Sequence, residues 1–194
     1  LIKTSPMLDI SVGLNELQSV SEIHIVAVNN EVKELLWLII PNFKGIPHIK
    51  TININKDHKD VFNFNLNDTF EVDYTNPKKY LYEPNAAIMK SGAFDLIPAR
   101  YQVYKLHKHS HLYTNDELIS FPGRQFIINK VIPYQKKYFK EFLTIEKANI
   151  SIRNFPESVA FLRKKLRIKD GGDLFLFFTT TEGNKKIIVS CTKV

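Results

Sequence analysis

Hydrophobic residues follow two different spacings along the chain. Residues 7–17 place apolar side chains at helical spacing, and residues 22–28 form an almost continuous apolar run. We expect a helix followed by a strand that is covered on both faces. Residues 31–40 predict a second helix, for which Asn30 supplies an N-cap. With a strand stub at residues 1–3, this order of strand, helix, strand and helix predicts the end of an open parallel sheet.

The spacing becomes alternating further along. Apolar residues recur at a spacing close to two in residues 49–54, 61–66 and 70–74, which predicts short strands in a meander or a pair of hairpins. Residues 80–118 then mix both patterns. Asn85 predicts the N-cap of a helix that ends near Gly92. A Phe-Pro-Gly turn follows and predicts the clearest boundary in the chain.

Residues 124–194 predict a compact unit in the order β-α-β-α-β-β. The first helix covers residues 134–143, and the second follows Ser158 as its N-cap. Residues 182–184 predict a hairpin between the last two strands. One small sheet with both helices on one face would bury the apolar sides of these helices and strands, so the predicted fold class is α+β.

The net charge of +7 is unevenly distributed along the chain. Residues 1–47 carry 3 basic and 5 acidic side chains, and residues 48–123 carry 9 of each kind. Residues 124–194 carry 15 basic and 6 acidic side chains, a net charge of +9. The final unit is therefore a candidate for binding a polyanion such as nucleic acid, and the rest of the chain is not.

The second helix of this final unit carries the sharpest functional signal. Its apolar residues recur at helical spacing, so its basic residues project away from the sheet. Two interpretations stay open: a solvated helix end whose cations suit the helix dipole, or a surface that contacts phosphates without reading the base sequence. The second interpretation predicts five nucleic-acid-binding residues: Arg153, Arg163, Lys164, Arg167 and Lys169.

Other chemically capable residues favour structural interpretations. His107, His109 and His111 share one side of an extended segment, as metal ligands would. Three adjacent ligands on one side are crowded, however, and the sequence offers no second cluster to support them. Glu83 has no second carboxylate at a fixed separation that would make an acid and base pair. We therefore predict no metal site and no catalytic residue.

The single cysteine and the apolar runs bear on the cellular location. Cys191 lies in an apolar strand and is expected to be buried and unreactive, and one unpaired cysteine fits a reducing cytoplasm. No apolar run reaches the roughly 18 residues that a membrane span needs. The first residue is Leu1 rather than methionine. We expect a fragment of a longer cytoplasmic protein that has no membrane segment here.

Several long stretches of the sequence together resemble one protein family. The stretches are SPMLDI (5–10), EIHIVAVNNEVKELLWL (22–38), KYLYEPNAAIMKSGAF (79–94), HSHLYT (109–114), FPGR (121–124), RNFPES (153–158) and LRKKLRIKDGGD (162–173). They are similar to the C-terminal part of a bacterial class I S-adenosylmethionine-dependent methyltransferase family. That family carries a ferredoxin-like region and a C-terminal THUMP-like domain.

The resemblance implies a division into three parts. Residues 1–46 would be the C-terminal remnant of a Rossmann-type methyltransferase domain, residues 47–123 a ferredoxin-like and linking region, and residues 124–194 the THUMP-like domain. S-adenosylmethionine would bind upstream in the parent enzyme, so this region would hold no cofactor and have no activity of its own. It would present RNA to the upstream catalytic domain in cis. The alternative is a non-catalytic protein-interaction or structural module.

Overall fold

The computed structural model describes residues 1–142 and 144–194, which form two sheets. The chain divides into two compact units. Unit 1 consists of Leu1–Glu71 and Pro84–Ile97, and unit 2 consists of Val72–Glu83 and Pro98–Val194. Both units combine strands with short helices, which confirms the α+β class.

Unit 1 is built on a five-stranded mixed sheet. Its strands are β1 (Ile2–Thr4), β2 (Val20–Val28), β3 (Glu31–Ile39), β4 (His48–Ile54) and β5 (Lys59–Asn65). They lie in the order β1-β3-β2-β4-β5, with β2 and β4 parallel and the other neighbours antiparallel. Helix α1 (Ile10–Glu16) confirms the first predicted helix, and helix α2 (Ala86–Ser91) packs against β2, β3 and β4.

The helix predicted over residues 31–40 is wrong, because this segment is strand β3. Asn29 and Asn30 both have positive φ, 49° and 63°, as in a two-residue hairpin turn between twisted strands. β2 and β3 therefore pair antiparallel, and Leu35 and Trp37 are fully buried. The apolar run fits either spacing over this length, and pairing with β2 across the turn of the two asparagines selects the strand.

The parallel α/β pattern predicted for residues 1–46 is consequently not present in this described segment. The β2–β3 hairpin replaces the expected alternation of strands and helices. β4 pairs directly with β2, so the predicted boundary after residue 46 lies within a continuous sheet. The strand predicted over residues 70–74 is also wrong, since the described residues there show only an isolated bridge between Tyr74 and Lys105.

Helix α2 has the caps that the sequence predicted. Asn85 Oδ1 accepts a hydrogen bond from the Ile88 amide at 3.1 Å, and Gly92 ends the helix in the left-handed conformation with φ 75°. Asn30 also contributes, since its Oδ1 accepts the Ala86 amide at 2.7 Å. The hairpin turn thus satisfies one of the amides that a helix start leaves free.

Trp37 is the largest fully buried side chain of unit 1. Its Nε1 donates a hydrogen bond to Thr4 Oγ1 at 2.9 Å, which joins β3 to β1. Its ring also lies against Gly13 of α1, where an added Cβ would stand 2.3 Å from a ring carbon. Glycine is unfavourable inside a helix, so this close approach explains why Gly13 is tolerated there.

Unit 2 is built on a seven-stranded sheet. Its strands are β6 (Tyr80–Pro84), β7 (Tyr104–Lys105), β8 (Tyr113–Asn115), β9 (Gly123–Pro133), β10 (Asn149–Arg153), β11 (Leu174–Thr180) and β12 (Lys186–Lys193). They lie in the order β10-β11-β12-β9-β6-β8-β7. β10 and β11 run parallel, whereas β12 is antiparallel to both β11 and β9. Helix α3 (Leu96–Tyr101) lies where the chain passes from unit 1 to unit 2.

The order predicted for residues 124–194 agrees with the structure, with one change of helix type. A 3₁₀ helix (Lys136–Phe142) takes the place of the first α-helix, and α4 (Val159–Leu166) is the second helix. Phe139 and Phe142 are three residues apart, so they share one face of a 3₁₀ helix and pack into the same core. Leu143, the last residue of the predicted helix, lies outside the described residues.

Strand β11 is buried on both faces. Leu176 and Phe178 belong to one core, which the 3₁₀ helix and α4 cover. Phe175 and Phe177 belong to a second core on the opposite face. Cys191 lies in that second core with no exposed surface. No helix in residues 1–142 and 144–194 is long and apolar enough to cross a membrane.

Replacing Gly13 by alanine tests the packing of α1 on Trp37. We expect Gly13→Ala to destabilise unit 1 by about 1–3 kcal/mol in urea unfolding, because overpacking the ring outweighs the roughly 1 kcal/mol gain in helix propensity. The control is Asn15→Ala at an exposed position of the same helix, which should be neutral or stabilising. Equal stabilisation by both substitutions would contradict the contact.

The reactivity of Cys191 tests the second core of unit 2. Burial raises the pKa of the Cys191 thiol to about 12, so it carries almost no thiolate at pH 8. We expect no reaction of the folded protein with a disulfide reagent at pH 8, and full reaction in denaturant. If the folded protein reacted as fast as the protein in denaturant, this core would be open to solvent.

Candidate nucleic-acid interface

Helix α4 is fixed at both ends by local geometry. Ser158 Oγ accepts the Phe161 amide at 3.2 Å, which confirms the predicted N-cap. Leu162 and Leu166 are buried, and Arg167 ends the helix in the left-handed conformation with φ 59°. The apolar face therefore packs into the core, and Lys164 and Arg167 lie on the outer side.

Arg163 is a partly buried connector rather than a free cation. Its guanidinium donates to the Ala148 carbonyl at 3.2 Å and forms an ion pair with Asp170. The first contact joins α4 to the segment before β10, and the second holds the turn after the helix. With 22% of its side chain exposed, Arg163 has limited surface left for a ligand.

Four basic residues near the end of α4 have no such partner. Lys147 and Lys169 are paired in a parallel β-bridge, so their side chains are neighbours, and Lys164 and Arg167 are three residues apart. All four are exposed, and the ion pairs of this region among the described residues involve Arg163 and Lys165 instead. We name this group the α4 basic patch: Lys147, Lys164, Arg167 and Lys169.

Lys165 is held away from this patch by local partners. Its Nζ donates to Tyr134 Oη at 2.7 Å and to Glu157 Oε1 at 3.2 Å, and Tyr134 Oη donates to Glu157. Burial alone would lower the pKa of Lys165, but the bonds to Tyr134 and Glu157 outweigh it and raise the pKa. Burial and the bond to Glu157 raise the pKa of Tyr134. Lys165 is therefore protonated, and Glu157 balances its charge within the domain.

Arg153 contacts a buried carboxylate. Glu83 is 3% exposed, and its Oε1 lies 2.5 Å from Arg153 Nη2. Its Oε2 accepts from Arg124 Nε at 2.6 Å and also pairs with the same guanidinium through Nη2. A buried carboxylate is costly without compensation, and two guanidinium groups supply it here. The sequence analysis missed this pairing because the three residues are far apart along the chain.

The five residues predicted to bind nucleic acid thus fall into two groups. Lys164, Arg167 and Lys169 are exposed, and the structure adds Lys147 to them. Arg153 and Arg163 are largely engaged by Glu83 and Asp170. The signal for Lys147 was present in the charge count of the final unit, but its place beside Lys169 depends on the β-bridge.

The three histidines near the centre of the chain are not arranged as one ligand set. His107 Nδ1 accepts the His109 amide at 3.1 Å and lies 2.9 Å from Asn154 Nδ2. His111 has a positive φ of 52°, which breaks the extended geometry assumed for all three. In the described part of the chain, no group of three His, Cys, Asp or Glu side chains is placed to hold a metal ion.

Two protein-family models match successive parts of the chain. Residues 80–122 match a ferredoxin-like domain, and residues 123–193 match a THUMP domain-like model. The chain therefore contains a ferredoxin-like domain and a THUMP-like domain. The α4 basic patch lies in the THUMP-like domain, as do all five predicted residues.

The chain is also similar to a solved crystal structure, that of a "putative methyltransferase from Porphyromonas gingivalis W83". The sequences are 37% identical and the TM-score is 0.91. The match covers 99% of this chain and 50% of the other, so this chain spans about half the length of that relative. A comparison with curated proteins finds no match.

Replacing Glu83 by glutamine tests the buried pairing with Arg124 and Arg153. We expect Glu83→Gln to lower the free energy of unfolding by about 2 kcal/mol. This is less than for a fully buried pair, because both arginines are about one-third exposed. Urea unfolding measures the change. The control is Glu141→Gln, which breaks the more exposed pair with Lys130 and should cost at most about 1 kcal/mol. Equal losses of unfolding free energy in the two variants would show that the ion pairs of Glu83 stabilise the fold no more than an exposed pair does.

Proposed function

We propose that this chain is the C-terminal region of an S-adenosylmethionine-dependent methyltransferase and that it holds RNA for a catalytic domain in the same polypeptide. Similarity to the Porphyromonas gingivalis protein supports the methyltransferase assignment. The THUMP-like domain and its positive charge support the assignment to RNA. In this proposal the five-stranded sheet of unit 1, which continues across residue 46, is the last part of the methyltransferase domain, and residues 124–194 are the RNA-holding domain.

The α4 basic patch is the observation that carries the RNA-binding proposal. Four exposed cations that pair with no carboxylate among the described residues repel one another, and a polyanion relieves that repulsion. Each cation that meets a phosphate also releases condensed counterions, which favours binding at low salt. Lys164, Arg167 and Lys169 are proposed as direct phosphate contacts. Arg153 and Arg163 contribute mainly by holding β10 and α4 in place.

An exposed aromatic ring adds a second feature to this surface. Phe161 is 52% exposed and lies one turn before Lys164 on α4. A base stacked on a ring next to a phosphate-binding lysine is a common arrangement in the binding of single-stranded nucleic acid. The outer side of α4 therefore suits an unpaired nucleotide flanked by backbone phosphates, without a preference for base sequence.

S-adenosylmethionine would supply the methyl group in the whole enzyme. The residues present here do not fit it, since none of the seven glycines lies in a loop that leads from a strand into a helix. Gly13, for example, is packed beneath Trp37. The proposal therefore gives this chain the binding of RNA and leaves the cofactor to the catalytic domain.

Charge reversal in the α4 basic patch tests the proposed RNA binding. We expect Lys164→Glu, Arg167→Glu and Lys169→Glu together to weaken binding to a structured RNA at least tenfold at about 50 mM salt. The slope of log K against log salt concentration is negative, and its magnitude should fall by about two, because each lost phosphate contact removes about 0.7–0.9 from that magnitude. Fluorescence anisotropy across a salt titration measures both quantities.

The matched control carries the same change of charge in unit 1. Lys44→Glu, Lys56→Glu and Lys59→Glu alter three exposed lysines outside the THUMP-like domain. This variant should bind RNA within about threefold of the unchanged chain, since only distant screened charges differ. Equal loss in both variants would show that net charge alone attracts RNA. Absence of binding by the unchanged chain at low salt would overturn the proposal.

A further inference from the structure

A cleft in unit 2 is lined by none of the α4 basic patch residues. Its volume is about 640 Å³, and sites for small molecules commonly measure about 300–1,000 Å³. Three parts of the chain line most of it: the loop between β7 and β8, the loop after β10, and the start of β12. The cleft therefore has residues from both the ferredoxin-like and the THUMP-like domain.

Hydrogen bonds fix the tautomer of His107, which lines the cleft. The His109 backbone N–H donates to His107 Nδ1 at 3.1 Å, and the Asn154 amide nitrogen lies 2.9 Å from the same atom. A backbone amide can only donate, so His107 Nδ1 must be the acceptor. The proton of the neutral ring is then on Nε2, which makes Nε2–H the hydrogen-bond donor that His107 can offer to a ligand.

The loop after β10 is held in shape before any ligand arrives. Thr180 Oγ1 donates to the Asn154 carbonyl at 2.6 Å, and the buried Ser110 Oγ donates to the Thr180 carbonyl at 2.7 Å. Asn154 and Asn184 both line the cleft with positive φ, 52° and 59°. Asparagine tolerates this conformation better than most residues, so the backbone is stable in this form.

The charge of the cleft favours an anion. Lys186 lines it at the start of β12 and is exposed, and His107 and His109 line it from the loop between β7 and β8. No acidic residue among those that the structure describes lines the cleft. An ammonium group, imidazole N–H groups and side-chain amides are a donor set that suits phosphate oxygens.

Phe155 gives the cleft an aromatic wall. Its ring packs edge-on against Tyr134, with centroids 4.9 Å apart, and against Phe178 at 5.6 Å. These contacts fix the ring while it remains half-buried at the cleft. A fixed aromatic ring next to cationic donors is suited to a planar base that carries a phosphate.

We propose that this cleft binds a nucleotide through its phosphate, with Lys186 and the Nε2–H of His107 as the phosphate donors and Phe155 beside the base. The phosphate belongs either to a free nucleoside monophosphate or to the phosphorylated end of an RNA strand, because both present the same chemistry. The proposal goes beyond the RNA binding assigned to the α4 basic patch and does not depend on it.

Titration of the whole chain with adenosine 5′-monophosphate, adenosine and a 5′-phosphorylated trinucleotide tests the site. Isothermal calorimetry should give a dissociation constant on the order of 10–1,000 µM for the phosphorylated compounds, and no binding of adenosine at 1 mM. Binding of the monophosphate indicates a free nucleotide as ligand. Binding of the trinucleotide alone indicates an RNA end, and either result supports the shared chemistry. Absence of binding by both at 1 mM overturns the proposal.

Two neighbouring lysines provide a matched pair of variants. Lys186→Gln should weaken binding about tenfold or more, because it removes a charged hydrogen bond to phosphate. Lys185→Gln removes a charge that is also exposed but does not line the cleft, and it should leave binding unchanged. Equal losses in both variants would show attraction by charge alone and would overturn the site.

Variants of the two other residues test their separate contributions. His107→Asn keeps an acceptor for the surrounding amides but removes the Nε2–H donor, so phosphate binding should weaken about tenfold. Phe155→Leu should weaken the binding of adenosine 5′-monophosphate more than the binding of inorganic phosphate, since only the base of the nucleotide contacts the Phe155 ring. The charge-reversed α4 patch variant should bind the monophosphate normally. A loss of nucleotide binding in that variant would place the ligand at α4 instead.

Discussion

The burial of β11 on both faces is the constraint on which the structure of unit 2 depends. Leu176 and Phe178 require a cover on one side, and the 3₁₀ helix and α4 provide it. Phe175 and Phe177 require a cover on the other side, which includes apolar residues of the ferredoxin-like domain. Neither domain can leave this strand without exposing large aromatic surface to water. The direction in which α4 presents its basic residues follows from this packing.

Packing also divides the cations of the THUMP-like domain into those that form ion pairs and those that are exposed. A cation that lies near the sheet is paired, as Arg153 is with Glu83, because an uncompensated charge there would be costly. A cation on the outer side of α4 remains hydrated and needs no partner. The paired cations give stability and fixed geometry to the surface that bears them, and the exposed ones are the group proposed above to contact phosphates.

The two proposed sites use positive charge in different ways. The α4 basic patch consists of exposed cations, so it suits the backbone of a long polyanion, and its binding would be sensitive to salt. The cleft around His107 combines fewer charges with fixed hydrogen bonds and an aromatic wall, so it suits a small ligand of defined shape.

The sequence by itself determined those features that depend on neighbours within one or two turns. The caps at Asn85 and Ser158, the apolar face of α4 and the concentration of charge in residues 124–194 are all of this kind. The strands of the final unit were also predictable, since their apolar runs are bounded by strong turn residues.

Only the tertiary structure decided the rest. Residues 31–39 fit either a helix or a strand, and pairing with β2 selected the strand. Arg153 has the same local pattern as the free basic residues, and only the position of Glu83, seventy residues earlier, removes it from that group. The tautomer of His107 likewise depends in part on Asn154. Contacts between residues so distant in sequence arise from the packing of the whole domain, and no local pattern records them.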